Sequence, residues 1–260
     1  MLQSSRGTNP GMASVSSQFG KRAFRIAALG LLLATLPGCQ SITINAANQA
    51  QLRIVDASPD SPGLDFYENQ SVLAYNIGFG TASSYVPLPP GSYTVQADQA
   101  GTRTVLAQTG ATLISGRQYT AIVGNVVASM QGTIIQDQAQ PAPSGQVSVR
   151  ILDWATRAGA VDVYLVPNTG TLQTTNPVAT NVTFTGNTGY INVPAGTYAV
   201  AVVPAGTVPV STTVTLLSDS QRNYPTGSVR TVVLIDQQIV TVPGVKAIVL
   251  DDYDSATING

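Results

Sequence analysis

Three sets of residues carry side chains that chemistry would need. Asp56, Asp60 and Asp65 fall within ten residues, around Pro59 and Pro62. Asp251, Asp252 and Asp254 form DDYD near the C-terminus. Cys39 is the one cysteine of 260 residues. Clustered loop carboxylates are the pattern of a calcium site, because hard cations take oxygen ligands. Turn chemistry explains the first set more simply. Asp60 would open a turn, Asp56 would cap the loop after a strand, and Asp65 would lie on a strand's polar face. An ion pair from Asp56 to Arg53, or from Asp153 to Arg150, is an equal structural alternative. DDYD lacks the Asp-x-Asp-x-Asp-Gly loop of a calcium hand and reads as a solvated acidic tail.

The chain has no histidine. Ser-His-Asp and Cys-His relays need an imidazole base, and zinc, copper and non-haem iron sites are built mainly from His and Cys. Paired carboxylates would suit a glycosidase, but Glu68 is the one glutamate, and no Asp pair can be placed in a cleft. The stretch GFGTAS, residues 78 to 83, lacks the lysine and helix of a phosphate loop. The expectation is a protein without enzymatic activity, catalytic residues, metal or other cofactor.

Cys39 has a different context. Lys21, Arg22 and Arg25 precede an apolar run from Ile26 to Leu33, and Leu36-Pro37-Gly38-Cys39 follows. A basic segment, a short apolar segment and a small residue describe an export signal. The run is shorter than the roughly 20 residues that span a bilayer as a helix. The residues before Lys21 read as extra upstream sequence, with Met12 as an alternative start. Leu-x-Gly-Cys resembles the lipobox of bacterial lipoproteins, with Pro37 where Ala or Ser is usual. That resemblance implies cleavage before Cys39 and acylation of Cys39, and two or three acyl chains anchor stably. Gln40 rather than Asp follows, which by resemblance to enterobacterial sorting favours the outer membrane, on its periplasmic or surface face. Cleavage would remove four of the twelve basic residues (Arg6, Lys21, Arg22, Arg25) and no acidic one, leaving eight against thirteen, a net of −5. Such a charge argues against nucleic acid or an anionic lipid surface as partner.

The elements that must hold these residues form a repeat. RIVDASPDSPGLDFY (53–67) and RILDWATRAGAVDVY (150–164) share Arg, Ile, Asp, Gly, Asp and Tyr at one spacing, 97 residues apart. PPGSYTV (89–95) recurs as PAGTYAV (194–200), and GRQYTAIV (116–123) more weakly as GSVRTVVL (227–234). A duplicated module of roughly 100 residues is a normal domain size. The expected organisation is a signal peptide at 1–38, a tether at 39–50, a first module at 51–136, a linker at 137–146, and a second module with a C-terminal extension at 147–260. Val147, Val149 and Ile151 alternate with Ser148 and Arg150, and Val161, Val163 and Leu165 alternate with Asp162 and Tyr164. A period of two in short β-branched runs, bounded by Gly, Pro or Asn, reads as antiparallel strands. Only 10% of the residues are charged and 43% are apolar, so the chain should fold rather than stay disordered. Two tandem all-β sandwiches, immunoglobulin-like or transthyretin-like, are predicted. Tyr67, Tyr93, Tyr164 and Tyr198 hold matching positions and read as core or corner packing, with a carbohydrate-stacking platform as the functional alternative. Trp154 has no counterpart in the first copy and packs locally or makes a contact.

Arg-(Ile/Val)-x-(Asp/His)-Ala-Ser-Pro-Asp-x-Pro followed by a Pro-Gly-x-Tyr turn resembles the DUF4397 family. The first module keeps DASPDSPGLDFY (56–67), and the second replaces its centre with Trp154 to Ala158. The resemblance implies exported β-sandwich modules and brings little biochemistry. The expected function is a lipid-anchored envelope protein with a structural or binding role. A carbohydrate- or matrix-binding adhesin is the runner-up. The expected partners are a membrane, reached through acylated Cys39, and an envelope protein or glycan.

Overall fold

The computed structural model describes residues 48–238 and 244–253. Cys39, the segment expected to direct export and Asp254 lie outside them.

Eighteen strands are described. In the first half they are β1 (Ala50–Ala57), β2 (Leu64–Glu68), β3 (Ser71–Ile77), β4 (Thr81–Ala82), β5 (Val86–Leu88), β6 (Gly91–Gln99), β7 (Val105–Leu113), β8 (Gln118–Gly124) and β9 (Gln131–Asp137). In the second they are β10 (Gln146–Trp154), β11 (Val161–Pro167), β12 (Ala179–Val182), β13 (Asn187–Pro194), β14 (Gly196–Pro204), β15 (Leu217–Ser218), β16 (Arg222–Tyr224), β17 (Val229–Asp236) and β18 (Val245–Tyr253). Each half is a sandwich of two sheets. The first packs β4-β1-β8-β9 against β3-β2-β6-β7, and the second packs β13-β10-β17-β18 against β12-β11-β14-β15.

The period-two pattern sets which residues meet. Leu52, Ile54, Tyr119 and Ala121 of one sheet meet Leu64, Phe66, Val95 and Ala97 of the other. Val149, Ile151, Val232 and Leu234 meet Val161, Val163, Val200 and Val202 in the second half. Most neighbouring strands are antiparallel. One pair per sandwich, β1 with β8 and β10 with β17, is parallel. A parallel pair needs a long crossover, and here the other sheet supplies it.

Strands β1, β8, β10 and β17 are buried on both faces. A third apolar cluster joins Val55, Ala57 and Ile122 of the first half to Leu152, Trp154, Val233, Ile235 and Leu250 of the second. These residues alternate with the sandwich cores along the same strands, so the two inner sheets also pack back to back. Both sandwiches belong to one compact unit.

Candidate functional site

The acidic residues of the first loop do not converge. Asp56 accepts the Ser58 N–H at 2.8 Å and the Ser61 hydroxyl at 2.6 Å. Asp60 accepts the Val127 N–H at 2.8 Å. Asp65 accepts the N–H groups of Asn76 (2.8 Å) and Gly101 (2.9 Å), tying β3 and the turn after β6 to its strand. Asp162 does the same with Asn181 (2.8 Å) and Gly206 (2.9 Å). Among the described residues no group of three or more Cys, Asp or Glu is gathered to hold a metal ion. Of the four repeated tyrosines, Tyr67 and Tyr164 are buried within β2 and β11, and Tyr93 and Tyr198 belong to corners. Tyr93 donates to the Pro89 carbonyl at 2.7 Å, and Tyr198 to that of Pro194 at 2.8 Å.

Two expectations are corrected. Arg53 does not pair with Asp56, nor Arg150 with Asp153. Residues three apart on a strand point to opposite faces, so neither pair can meet. Asp252 is no part of a solvated tail. It is 4% exposed and lies on β18, in the back-to-back contact. Asp251, its neighbour on the opposite face of the strand, is exposed and pairs with Arg230 at 2.9 Å.

Asp252 is where Arg53 points. Arg53 Nη2 donates to Asp252 Oδ1 at 2.5 Å, Nη1 to the Asp251 carbonyl at 3.2 Å, and Nε to Thr120 Oγ1 at 3.1 Å. Arg150 repeats this in reverse. Its Nη2 donates to Asp137 Oδ1 at 2.5 Å, Nη1 to the Gln136 carbonyl at 3.0 Å, and Nε to Thr231 Oγ1 at 3.0 Å. Each carboxylate is completed from its own sandwich. Asp137 Oδ2 accepts the Tyr85 and Thr120 hydroxyls at 2.8 and 2.7 Å. Asp252 Oδ2 accepts those of Tyr190 and Thr231 at 2.7 and 2.5 Å. Each guanidinium also lies 4.6 Å from the ring centroid of its tyrosine, Tyr85 or Tyr190. The arginine of each copy thus binds the carboxylate of the other, the reciprocity of a twofold interface built within one chain.

Burial works against the charge of Arg53, but the Tyr85 hydroxyl, Asp252 and Asp137 raise its pKa above the usual guanidinium value. Burial, then the nearby carboxylates, push both phenols up, so Tyr85 and Tyr190 stay protonated donors. The constellation can hold two modules together. Its four ionised side chains are all at most 4% exposed, while Tyr85 and Tyr190 at its margin are half-buried.

Two other carboxylates are perturbed. Burial pushes Asp153 up to about 7 and Asp56 up to about 6. Asp153 Oδ1 accepts the Ala155 N–H at 2.9 Å, while its Oδ2 is buried without a partner. A carboxyl raised above its unfolded value of about 3.9 favours the folded state while protonated. That stabilisation is complete below about pH 4 and is lost as pH rises through about 7. The melting temperature is therefore expected to be lower at pH 8 than at pH 5. Asp153→Asn keeps the acceptor for Ala155 and removes the charge, so it should flatten that slope. Equal slopes in the parent and the variant, measured by thermal circular dichroism, would refute the assignment.

A family model described as "Domain of unknown function (DUF4397)" matches residues 50–164 and 166–260. No curated protein matches the chain. Among solved structures, the Bacillus anthracis TIE protein is similar at 12% identity and a TM-score of 0.23, over 78% of this chain and 44% of its own. This chain therefore spans less than half of that protein. A family 41 carbohydrate-binding module from streptococcal virulence factors, solved for alpha-glucan recognition, is 10% identical with a TM-score of 0.26, over 75% of this chain and 96% of the module. A family 26 module from Eubacterium rectale, solved with maltoheptaose, is 7% identical with a TM-score of 0.25, over 80% and 98%. At these scores the likenesses carry no argument about function.

Proposed function

The chain belongs to the DUF4397 family, and from that premise we propose that it is a lipid-anchored protein of the bacterial envelope, displaying two interlocked sandwiches for binding rather than catalysis. The observation that carries the reading is the fate of the acids and bases. Arg53, Arg150, Asp137 and Asp252, the densest set of ionised side chains described, are sealed between the sandwiches and committed to one another. The anchor in this proposal is Cys39, with the residues between it and β1 as tether and Gln40 favouring the outer membrane. A display protein gains from one stiff body, because ligand contacts then act on a surface of fixed shape. The adhesin reading is a special case of it, favoured by an open polar face on the first sandwich.

The test compares the native chain with Cys39→Ser in a bacterial host, by membrane fractionation and intact mass. The native protein is expected in the membrane, starting at residue 39 and carrying acyl mass. Cys39→Ser is expected in the soluble fraction without that mass. A soluble, unacylated native protein would overturn the anchor and leave a secreted binding protein.

A further inference from the structure

The two copies differ most on the outer face of the sheet farthest from their contact. In the second sandwich that face is apolar and covered. Tyr164, Ala201 and Val203 are buried there, with Leu172 packed on them. Leu172 belongs to an eleven-residue connection from β11 to β12, residues 168–178. Gln173 Nε2 ties that connection to the next long loop, donating to the Val210 carbonyl at 3.1 Å. In the first sandwich the corresponding connection is Asn69-Gln70 alone, a tight hairpin with φ of 42° and 79°. Nothing longer than that turn stands between β2 and β3.

The uncovered face is polar. Aligning Tyr93 with Tyr198 puts Thr94, Gln96 and Asp98 where the second copy has Ala199, Ala201 and Val203. Gln96 pairs across strands with Tyr67 on one side and Gln108 on the other. Asn69, Gln70, Thr94, Gln96 and Gln108 line a groove of about 330 Å³. Beside it the Tyr75 ring is 63% exposed and meets the Tyr67 ring edge to face at 6.4 Å. Asp98 lies beneath, with no exposed surface. Its Oδ1 accepts the Gln96 side-chain amide at 2.7 Å, and its Oδ2 has no partner. Burying a carboxylate oxygen without a partner is costly. The fold does not require it, since Val203 fills the same place in the other copy.

We infer that this groove binds a neutral carbohydrate chain, with Gln96, held by Asp98, and Gln108 as its central contacts and Tyr75 as a stacking surface. Each glutamine amide both donates and accepts, as does each sugar hydroxyl. The five lining side chains carry no formal charge, which suits a neutral ligand, the nearby Arg103 guanidinium being engaged over the Tyr67 ring at 4.9 Å, and an apolar ligand would strand the amides. An exposed aromatic ring beside them adds a flat apolar surface with a polar rim. The inference rests on the binding role proposed above and gives that role its ligand class.

The test is titration of the full mature chain, labelled with 15N, with malto-, cello- and chito-oligosaccharides. One of these sugars is expected to shift the Gln96 and Gln108 side-chain amide signals. Gln96→Ala and Gln108→Ala should each weaken binding about tenfold, the loss of one or two hydrogen bonds. Asp98→Val copies the second sandwich, so it should keep the melting temperature while weakening binding by a similar factor. No shift with any of the three sugars, shifts confined to other faces, or unchanged binding by Asp98→Val would each overturn the inference. Failure here, with Cys39-dependent anchoring intact, would remove the carbohydrate ligand and leave the display role standing.

Discussion

Asp252→Ala is expected to destabilise the protein by about 3–5 kcal/mol, the loss typical when one partner of a buried ion pair is removed. The variant takes the 2.5 Å acceptor from Arg53 and the shared acceptor from the Tyr190 and Thr231 hydroxyls. Arg53 cannot swing into water, because its side chain is 4% exposed between the sandwiches. Asp137 Oδ2 stands 3.6 Å from the same guanidinium and softens the loss without replacing the contact. In a body of this size the change corresponds to a fall in melting temperature on the order of 10 °C. Asp137→Ala should act alike from the other side, where Arg150 loses its 2.5 Å contact. Arg53→Met combined with Asp252→Leu should recover part of that stability, since apolar side chains of similar volume often replace a buried pair without loss, while the Tyr190 and Thr231 hydroxyls still lack their acceptor. Urea unfolding checks all three. A single variant within about 1 kcal/mol of the parent would mean that solvent reaches the network.

Much of the fold was legible because it is local or repeated at short range. The Pro-x-Gly-x-Tyr turns made Tyr93 and Tyr198 visible as corners, and the spacing of Asp65 and Asp162 marked them as equivalent. The interlock was not legible from either half alone. Arg53 and Asp252 are 199 residues apart, and the nearest acid in sequence to each arginine faces the wrong side of its strand. The signal was present but stretched. Arg53 and Arg150 are 97 apart, Tyr85 and Tyr190 are 105, Thr120 and Thr231 are 111, and Asp137 and Asp252 are 115. Each lengthened loop of the second copy adds to the offset, so a search at a fixed period loses the later members. Asp137 was further hidden by the polar, proline-bearing stretch that follows it, although it ends β9 and is 3% exposed. Asp252 was hidden by its acidic neighbours. In a strand only every second residue of such a run need face water.

Trp154→Ala is expected to cost about 3–5 kcal/mol, as for other large aromatic residues removed from a core. Trp154 is 2% exposed and meets Phe184 edge to face at 5.7 Å. It packs across the contact onto the first sandwich. A Cβ added to Gly124 would lie 2.5 Å from its Cε3 atom and 3.3 Å from the Cβ of Ala57. The neighbour is a flat ring wedged in a core, so it cannot yield as a flexible side chain would. Gly124→Ala should therefore cost about 1–3 kcal/mol by overpacking. Combining the two changes should cost less than their sum, because the new methyl enters space the indole has left. Denaturant unfolding of the three variants decides it, and simple additivity would show that the ring and Gly124 are not in contact. The same residues explain why Trp154 has no twin. By the repeat, Trp154 corresponds to Ala57 and Ile235 to Gly124, so the second sandwich brings the large side chains and the first leaves the room for them. Two copies of the second sandwich would put Trp154 against Ile235, and two copies of the first would leave that space empty. The charged network is symmetric and would accept any pairing of the copies. The apolar contact beside it is asymmetric, and it is this contact that makes each sandwich the specific partner of the other.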